Sequence, residues 1–116
     1  MDVLTYLQGK GSHSIDVLLA IFHITAAKRE ARRTGAETTV RWKEVKDYIC
    51  SQGKSISDGT YRGRRDELLE MGLLELQPLD DMRADVKMTE KGMTIASIVN
   101  EFMEKLNNAY GIESEK

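Results

Sequence analysis

The stretch SDGTYRGRRDELLEMGLLEL, residues 57–76, constrains this chain more than any other. Ser57 is placed to cap a helix by accepting a hydrogen bond from an otherwise free N–H of the first turn, and Gly72 supplies a left-handed stop. Between them Tyr61, Arg65, Leu68 and Met71 or Gly72 recur at helical spacing toward an interior. The chain turns β-type immediately after the stop: LLELQP and ADVKM read as two strands joined by the polar loop LDDMRAD. The one proline, Pro78, falls at the end of the first strand, where a missing N–H does least harm. A glycine-stopped helix that exits directly into a hairpin sets the frame for the remaining segments.

Upstream, Ser14 is placed to cap a helix in which Ile15, Leu18, Leu19, Phe22 and Ala26 mark one face, ending before Gly35. Its last turns carry Lys28, Arg29, Arg32 and Arg33, where the helix dipole favours cations. Residues 38–40 are β-branched and read as a brief strand, and WKEVKDYICSQG as a second helix over 42–52 with Trp42, Val45, Tyr48 and Ile49 on one face and a stop at Gly53. Downstream, Thr89 caps a last helix with Ile95, Ile98, Val99, Phe102, Leu106 and Ala109 at three- and four-residue steps, ending at Gly111. The expected organisation is an N-terminal arm over 1–13, one domain over 14–90, a C-terminal helix over 91–110 for packing or dimerisation, and a frayed tail over 111–116.

Bulk composition narrows the function classes. A chain of 116 residues with 41% apolar and 31% charged residues suits one small soluble domain. The lone Cys50 leaves no intramolecular disulfide and no Cys/His array for zinc, which points to a reducing, cytoplasmic setting with Cys50 as a small buried hydrophobe. The longest apolar run, IDVLLAIFHITAA, is too short and interrupted to span a bilayer, and no secretion signal opens the chain. Enzyme chemistry has little to stand on: His13 and His23 lack a Cys or acidic partner at usable spacing, GKGSHS lacks the full phosphate-loop pattern, and Asp80 and Asp81 have no paired base. The expectation is therefore no catalysis, no cofactor and no metal. Net charge is −2, yet residues 1–65 hold 12 Lys and Arg against 7 Asp and Glu, while residues 66–116 hold 5 against 12. Such asymmetry can mark a surface that faces a polyanion.

In order, helix, short strand, helix, turn, helix, hairpin and helix over residues 14–110 resemble the winged helix-turn-helix family. Three motifs carry the resemblance: SDGTYRGRRDELLEMGLLEL is similar to the family's recognition helix, VKMTEKG to the end of its wing, and TTVRWKEVKDYI to its short strand and second helix. The resemblance implies an α+β, mostly α fold, a winged helix-turn-helix with a C-terminal helix. It also implies sequence-specific binding of double-stranded DNA by a small transcriptional regulator, with residues 57–65 in the major groove. Under that reading the DNA-facing residues are Lys54 and Ser55 in the turn and Ser57, Thr60, Arg62, Gly63, Arg64 and Arg65 on the helix. Arg62 and Arg64 can pair with guanine, and Gly63 permits close approach despite costing roughly 1 kcal/mol of helix propensity.

Arg41, Lys43 and Lys46 either clamp flanking phosphates or form a solvated face. Arg65 departs from the family's pattern, which has an aliphatic residue there; its stem is expected to cross the core edge with the guanidinium outside. The wing departs too, with Asp80, Asp81 and Asp85 around a single Arg83, the one wing cation assigned to DNA. The apolar set on the last helix is wider than one small core needs, so it points to a homodimer, with the N-terminal arm as the other way to cover it. An interaction module of the same fold that docks proteins and ignores DNA is the alternative.

Overall fold

In the computed structural model, which describes residues 12–32, 38–80 and 83–114, helix α1 (Ser12–Arg32) is the element on which the others pack. It contacts α2 (Trp42–Ser51), α3 (Asp58–Glu70), β2 (Arg83–Met88) and α4 (Glu90–Ser114). A helix touched from so many sides needs small or apolar residues around much of its circumference. Val17, Leu18, Ala20, Ile21 and Thr25 are fully buried, with Ile15, Phe22 and Ile24 partly so. Of the face expected from spacing, only Leu18 is fully buried and Ala26 is exposed. Apolar residues on nearly every side of α1 left periodicity no single face to select, and the neighbours decided. The helix also begins at Ser12, two residues before the expected cap Ser14. The arm up to residue 11 and the expected stop near Gly35 lie outside the described residues.

The brief strand shrinks to one antiparallel bridge, in which the Val40 N–H donates to the Val86 carbonyl at 2.8 Å and the Val86 N–H returns the bond at 3.0 Å. Helix α2 starts at Trp42, so no longer ladder has room to form. Strand β1 (Leu74–Asp80) pairs antiparallel with β2 in the register Leu74↔Met88, Leu76↔Val86, Pro78↔Ala84, with an irregularity between Pro78 and Asp80. The pairing thus consumes most of the expected LDDMRAD loop. Leu74, Val86 and Met88 face the core together with Val45, Ile49, Ile56, Tyr61, Leu68, Leu73 and Ala96.

Local signals placed the ends of α2 and α3 and the start of α4. Gly53 and Gly72 hold φ of +79° and +77°, and each is followed by a backbone bond that reaches back to the closing turn: Lys54 N–H to Ile49 at 3.3 Å and Leu73 N–H to Leu68 at 3.0 Å. Thr89 caps α4 by accepting from the Gly92 N–H at 2.9 Å, while its own hydroxyl donates to the Gly72 carbonyl at 2.7 Å. Gly92 lies directly against the Leu73 carbonyl, where any Cβ would collide with backbone. The TEKG sequence therefore pins the start of α4 onto the exit of α3.

Two further expectations are corrected. Helix α4 runs through Gly111 to Ser114; Gly111 does not take the left-handed φ that stops α2 and α3, and a glycine lowers helix propensity without ending a helix by itself. Cys50 is exposed, because α2 turns Val45 and Ile49 inward and the next residue falls off that face. On α4, Ala96 is buried and Val99 packs against the core, whereas Ile98, Phe102 and Leu106 stand 62%, 61% and 49% exposed along one row.

Candidate nucleic-acid interface

Helix α3 is seated by its cap and by an aromatic contact. The Ser57 hydroxyl accepts from the Thr60 N–H at 3.1 Å and donates to the Thr60 hydroxyl at 2.9 Å, which places both side chains in the cap. Tyr61, on the inner face, stacks on Trp42 of α2 with ring centroids 4.2 Å apart and 24° between planes. Lys46 lies 5.7 Å from the Trp42 ring and Arg65 lies 6.0 Å from the Tyr61 ring, so each ring also carries a cation. Burial pushes the Tyr61 phenol up to about 12 against the opposing pull of Arg65, and the ring stays neutral. This stack sets how α3 projects from α2.

The three arginines of α3 divide sharply. Arg62 is exposed and has no hydrogen bond or ion pair among the described residues. Arg64 is only 20% exposed and donates to Glu67 at 3.1 Å, an i,i+3 pair that turns it along the helix instead of outward as expected. Arg65 pairs with Asp66 at 2.9 Å with 27% of its side chain exposed, the edge position foreseen for it. With Asp58, Asp66, Glu67 and Glu70 against three arginines, α3 carries a net charge of −1. Its outward strip is therefore less basic than the arginine cluster in the sequence suggests.

Gly59 and Gly63 lie one turn apart beside Arg62, and a Cβ built on either would meet nothing within 4 Å. Among the described residues no contact requires either glycine. In the turn, Ser55 is exposed and Lys54 pairs with Asp16 at 2.9 Å. On α2, Lys43 is exposed and without a partner among the described residues, whereas Lys46 lies 3.9 Å from Asp58. Arg41 precedes α2 with its Nε 3.8 Å from Asp85, and Arg83 opens β2 with a side chain outside the described ones.

Sequence reasoning missed a polar clasp behind the site. Lys28 donates to Glu44 and to the Thr39 carbonyl at 2.8 and 2.9 Å, the Arg41 backbone N–H donates to Glu44 at 3.2 Å, and the Thr39 hydroxyl donates to buried Asp85 at 3.3 Å. It ties α1, the start of α2 and the wing together. Burial alone would raise the Glu44 carboxyl, but the bonds and charges of Lys28 and Arg41 outweigh it and hold the group below its ordinary range. The available signal was the Arg-x-x-Glu spacing at 41–44, which places a carboxylate over the first turn of α2.

No protein-family model and no curated protein matches this sequence. Solved structures do match its shape. A PadR-like transcription factor from Bacteroides fragilis superposes with a TM-score of 0.63 at 14% identity, over 95% of this chain and 97% of that one. A protein from Archaeoglobus fulgidus gives 0.57 at 15% identity, over 81% and 87%. The fold is a winged helix-turn-helix. Within it α2 and α3 form the helix-turn-helix, β1 and β2 the wing, and α4 the C-terminal helix of an α+β, mostly helical winged-helix chain. Among the described residues no group of three or more His, Cys, Asp or Glu could hold a metal ion, and no helix is long and apolar enough to cross a membrane.

Proposed function

We propose that this winged helix binds double-stranded DNA sequence-specifically as a transcriptional regulator, reading the major groove with α3 and acting as a homodimer through α4. One observation carries the reading: among the described residues Arg62 stands exposed and unpaired beside Gly59 and Gly63, on a strip that no contact between them explains. An arginine so placed can donate to both acceptor atoms of a guanine, and the glycines let the helix come close to the groove wall. Ser55 and Lys43 supply phosphate contacts on either side, and Lys54 joins them on leaving Asp16. The Bacteroides fragilis neighbour is a transcription factor, which agrees with the reading. No cofactor and no catalytic step enter.

A duplex selection from random sequence, followed by titration of the winning site, tests it. Arg62→Ala is expected to weaken binding by about 1–3 kcal/mol and to relax preference at one base pair. Arg64→Ala is expected to do less, since that side chain is engaged with Glu67. Equal affinity of Arg62→Ala and wild type for the selected site would sink the assignment.

For the dimer, the support is the Ile98, Phe102 and Leu106 row. Burying the exposed halves of those side chains from two protomers contributes on the order of 10 kcal/mol, comparable to what association costs in lost freedom. A two-fold dimer would offer two copies of α3 to successive turns of one DNA face. Phe102→Glu places a charge in that row without touching the core; sedimentation is expected to show a monomer, and an unchanged dimer would move the interface elsewhere.

A protein-docking module is favoured by one observation: Asp58 and Asp66 flank Arg62 at four-residue steps on the same face of a helix whose net charge is −1. Salt separates the two readings. DNA affinity falls with the logarithm of salt at a slope of about 0.9 per phosphate neutralised. A protein that retains no duplex even at low salt belongs to the second reading.

A further inference from the structure

We propose that the cavity between α1, the end of α2 and α4 is a binding site for a planar aromatic cation. Its volume is about 280 Å³, near the lower bound of roughly 300 Å³ for small-molecule sites and large enough for two fused rings. Leu19, Ile49 and Met103 give it apolar surface. Two rings stand in its wall, His23 of α1 and Tyr48 of α2, stacked with centroids 5.9 Å apart and 21° between planes. Flat aromatic faces favour a flat partner, and their negative π-faces favour a positive one.

Charge at the rim points the same way. The lining holds two carboxylates, Asp16 and Glu104, and one ammonium, Lys54. Lys54 already pairs with Asp16 at 2.9 Å, which leaves Glu104 without a cation among the described residues. An anionic ligand would face a carboxylate with no free cation in compensation, whereas a cation supplies the missing charge.

The site also survives the proposed assembly. Glu104 is two residues from both Phe102 and Leu106, and two residues advance a helix by about 200°. A second copy seated on the apolar row therefore approaches α4 from the far side and leaves the cavity open. Lys54 lies in the turn that leads into α3, so the Asp16–Lys54 pair connects the cavity to the helix assigned to DNA. That connection rests on the DNA-binding reading, while occupancy of the cavity does not.

The test is calorimetric titration of the full chain, without DNA, with N-methylquinolinium and separately with naphthalene-1-sulfonate, a flat anion of similar size. Saturable one-to-one binding of the quinolinium is expected, about tenfold or more tighter than the sulfonate. Tyr48→Ala is expected to weaken it about tenfold through the lost ring. Glu104→Gln, at an exposed rim position that leaves the fold intact, is expected to weaken it about threefold or more. Absence of saturable binding in the millimolar range, equal affinity for the sulfonate, or an affinity unmoved by both substitutions would overturn the proposal. A duplex titration run beside it separates the two ideas: quinolinium binding without duplex binding upholds the cavity and removes the DNA reading, and the reverse outcome removes the cavity alone.

Discussion

Helices α3 and α4 both carry glycine within their opening turns, and they use it in opposite ways. Gly92 in α4 is buried beneath the Leu73 carbonyl, so its missing side chain is a steric requirement of the chain itself. Gly59 and Gly63 in α3 face open space, with helical backbone that any residue could adopt. The first is explained within one copy of the molecule, and the second is not. The outward surfaces differ in the same sense. That of α3 is polar and glycine-lined around an exposed Arg62, suited to a partner held by charge and hydrogen bonds; that of α4 is an apolar row, suited to one held by burial. The two faces should accordingly respond to salt in different degrees, since screening weakens charge pairs and leaves apolar burial largely intact.

The largest effect should come from the glycine that the chain needs. Gly92→Ala forces a methyl into the Leu73 backbone, and the start of α4 must shift away from the exit of α3. A loss of about 3 kcal/mol in urea unfolding is expected, at the upper end for an overpacked site. An unfolding midpoint like that of the wild type would break the contrast drawn between the two helices. Thr89→Ala, three residues earlier, removes one hydroxyl that accepts from Gly92 and donates to Gly72. It should cost about 1–2 kcal/mol, the range of a lost helix cap whose second partner is also left unpaired.

The helix caps and stops were legible in the sequence because their signals are local, whereas the need for Gly92 was not, since the Leu73 carbonyl it packs against is distant in sequence. Ser57, Thr89, Gly53 and Gly72 act within a turn of the chain, and each does in the structure what its residue type predicts. The buried face of α1 was not legible, since a helix apolar on most sides takes its orientation from neighbours distant in sequence. The site was readable in part. Arg64 has Glu67 three residues ahead, a signal already present in the sequence, yet how far its side chain is covered depends on how α3 packs on its neighbours, which leaves it only 20% exposed beside Glu67. Likewise Lys28 was expected to serve the dipole of α1, but its partner Glu44 lies 16 residues away and became visible only when α1 and α2 were set side by side.

The smallest effect is the most informative about α3. Gly63→Ala removes backbone freedom from the unfolded chain and introduces no contact closer than 4 Å, so it should stabilise the fold by about 0.5–1 kcal/mol. Gly59→Ala should gain less, because it lies in the first turn, where propensity counts for little. If the strip beside Arg62 meets a groove wall closely, the same Gly63→Ala protein should bind the selected duplex more weakly than wild type while melting a few degrees higher. A gain in stability with unchanged DNA affinity would assign recognition to Arg62 and the turn alone and leave Gly63 as slack in the helix. A loss of stability would mean that the open space beside Gly63 is already filled, and the contrast with Gly92 would fail at its root.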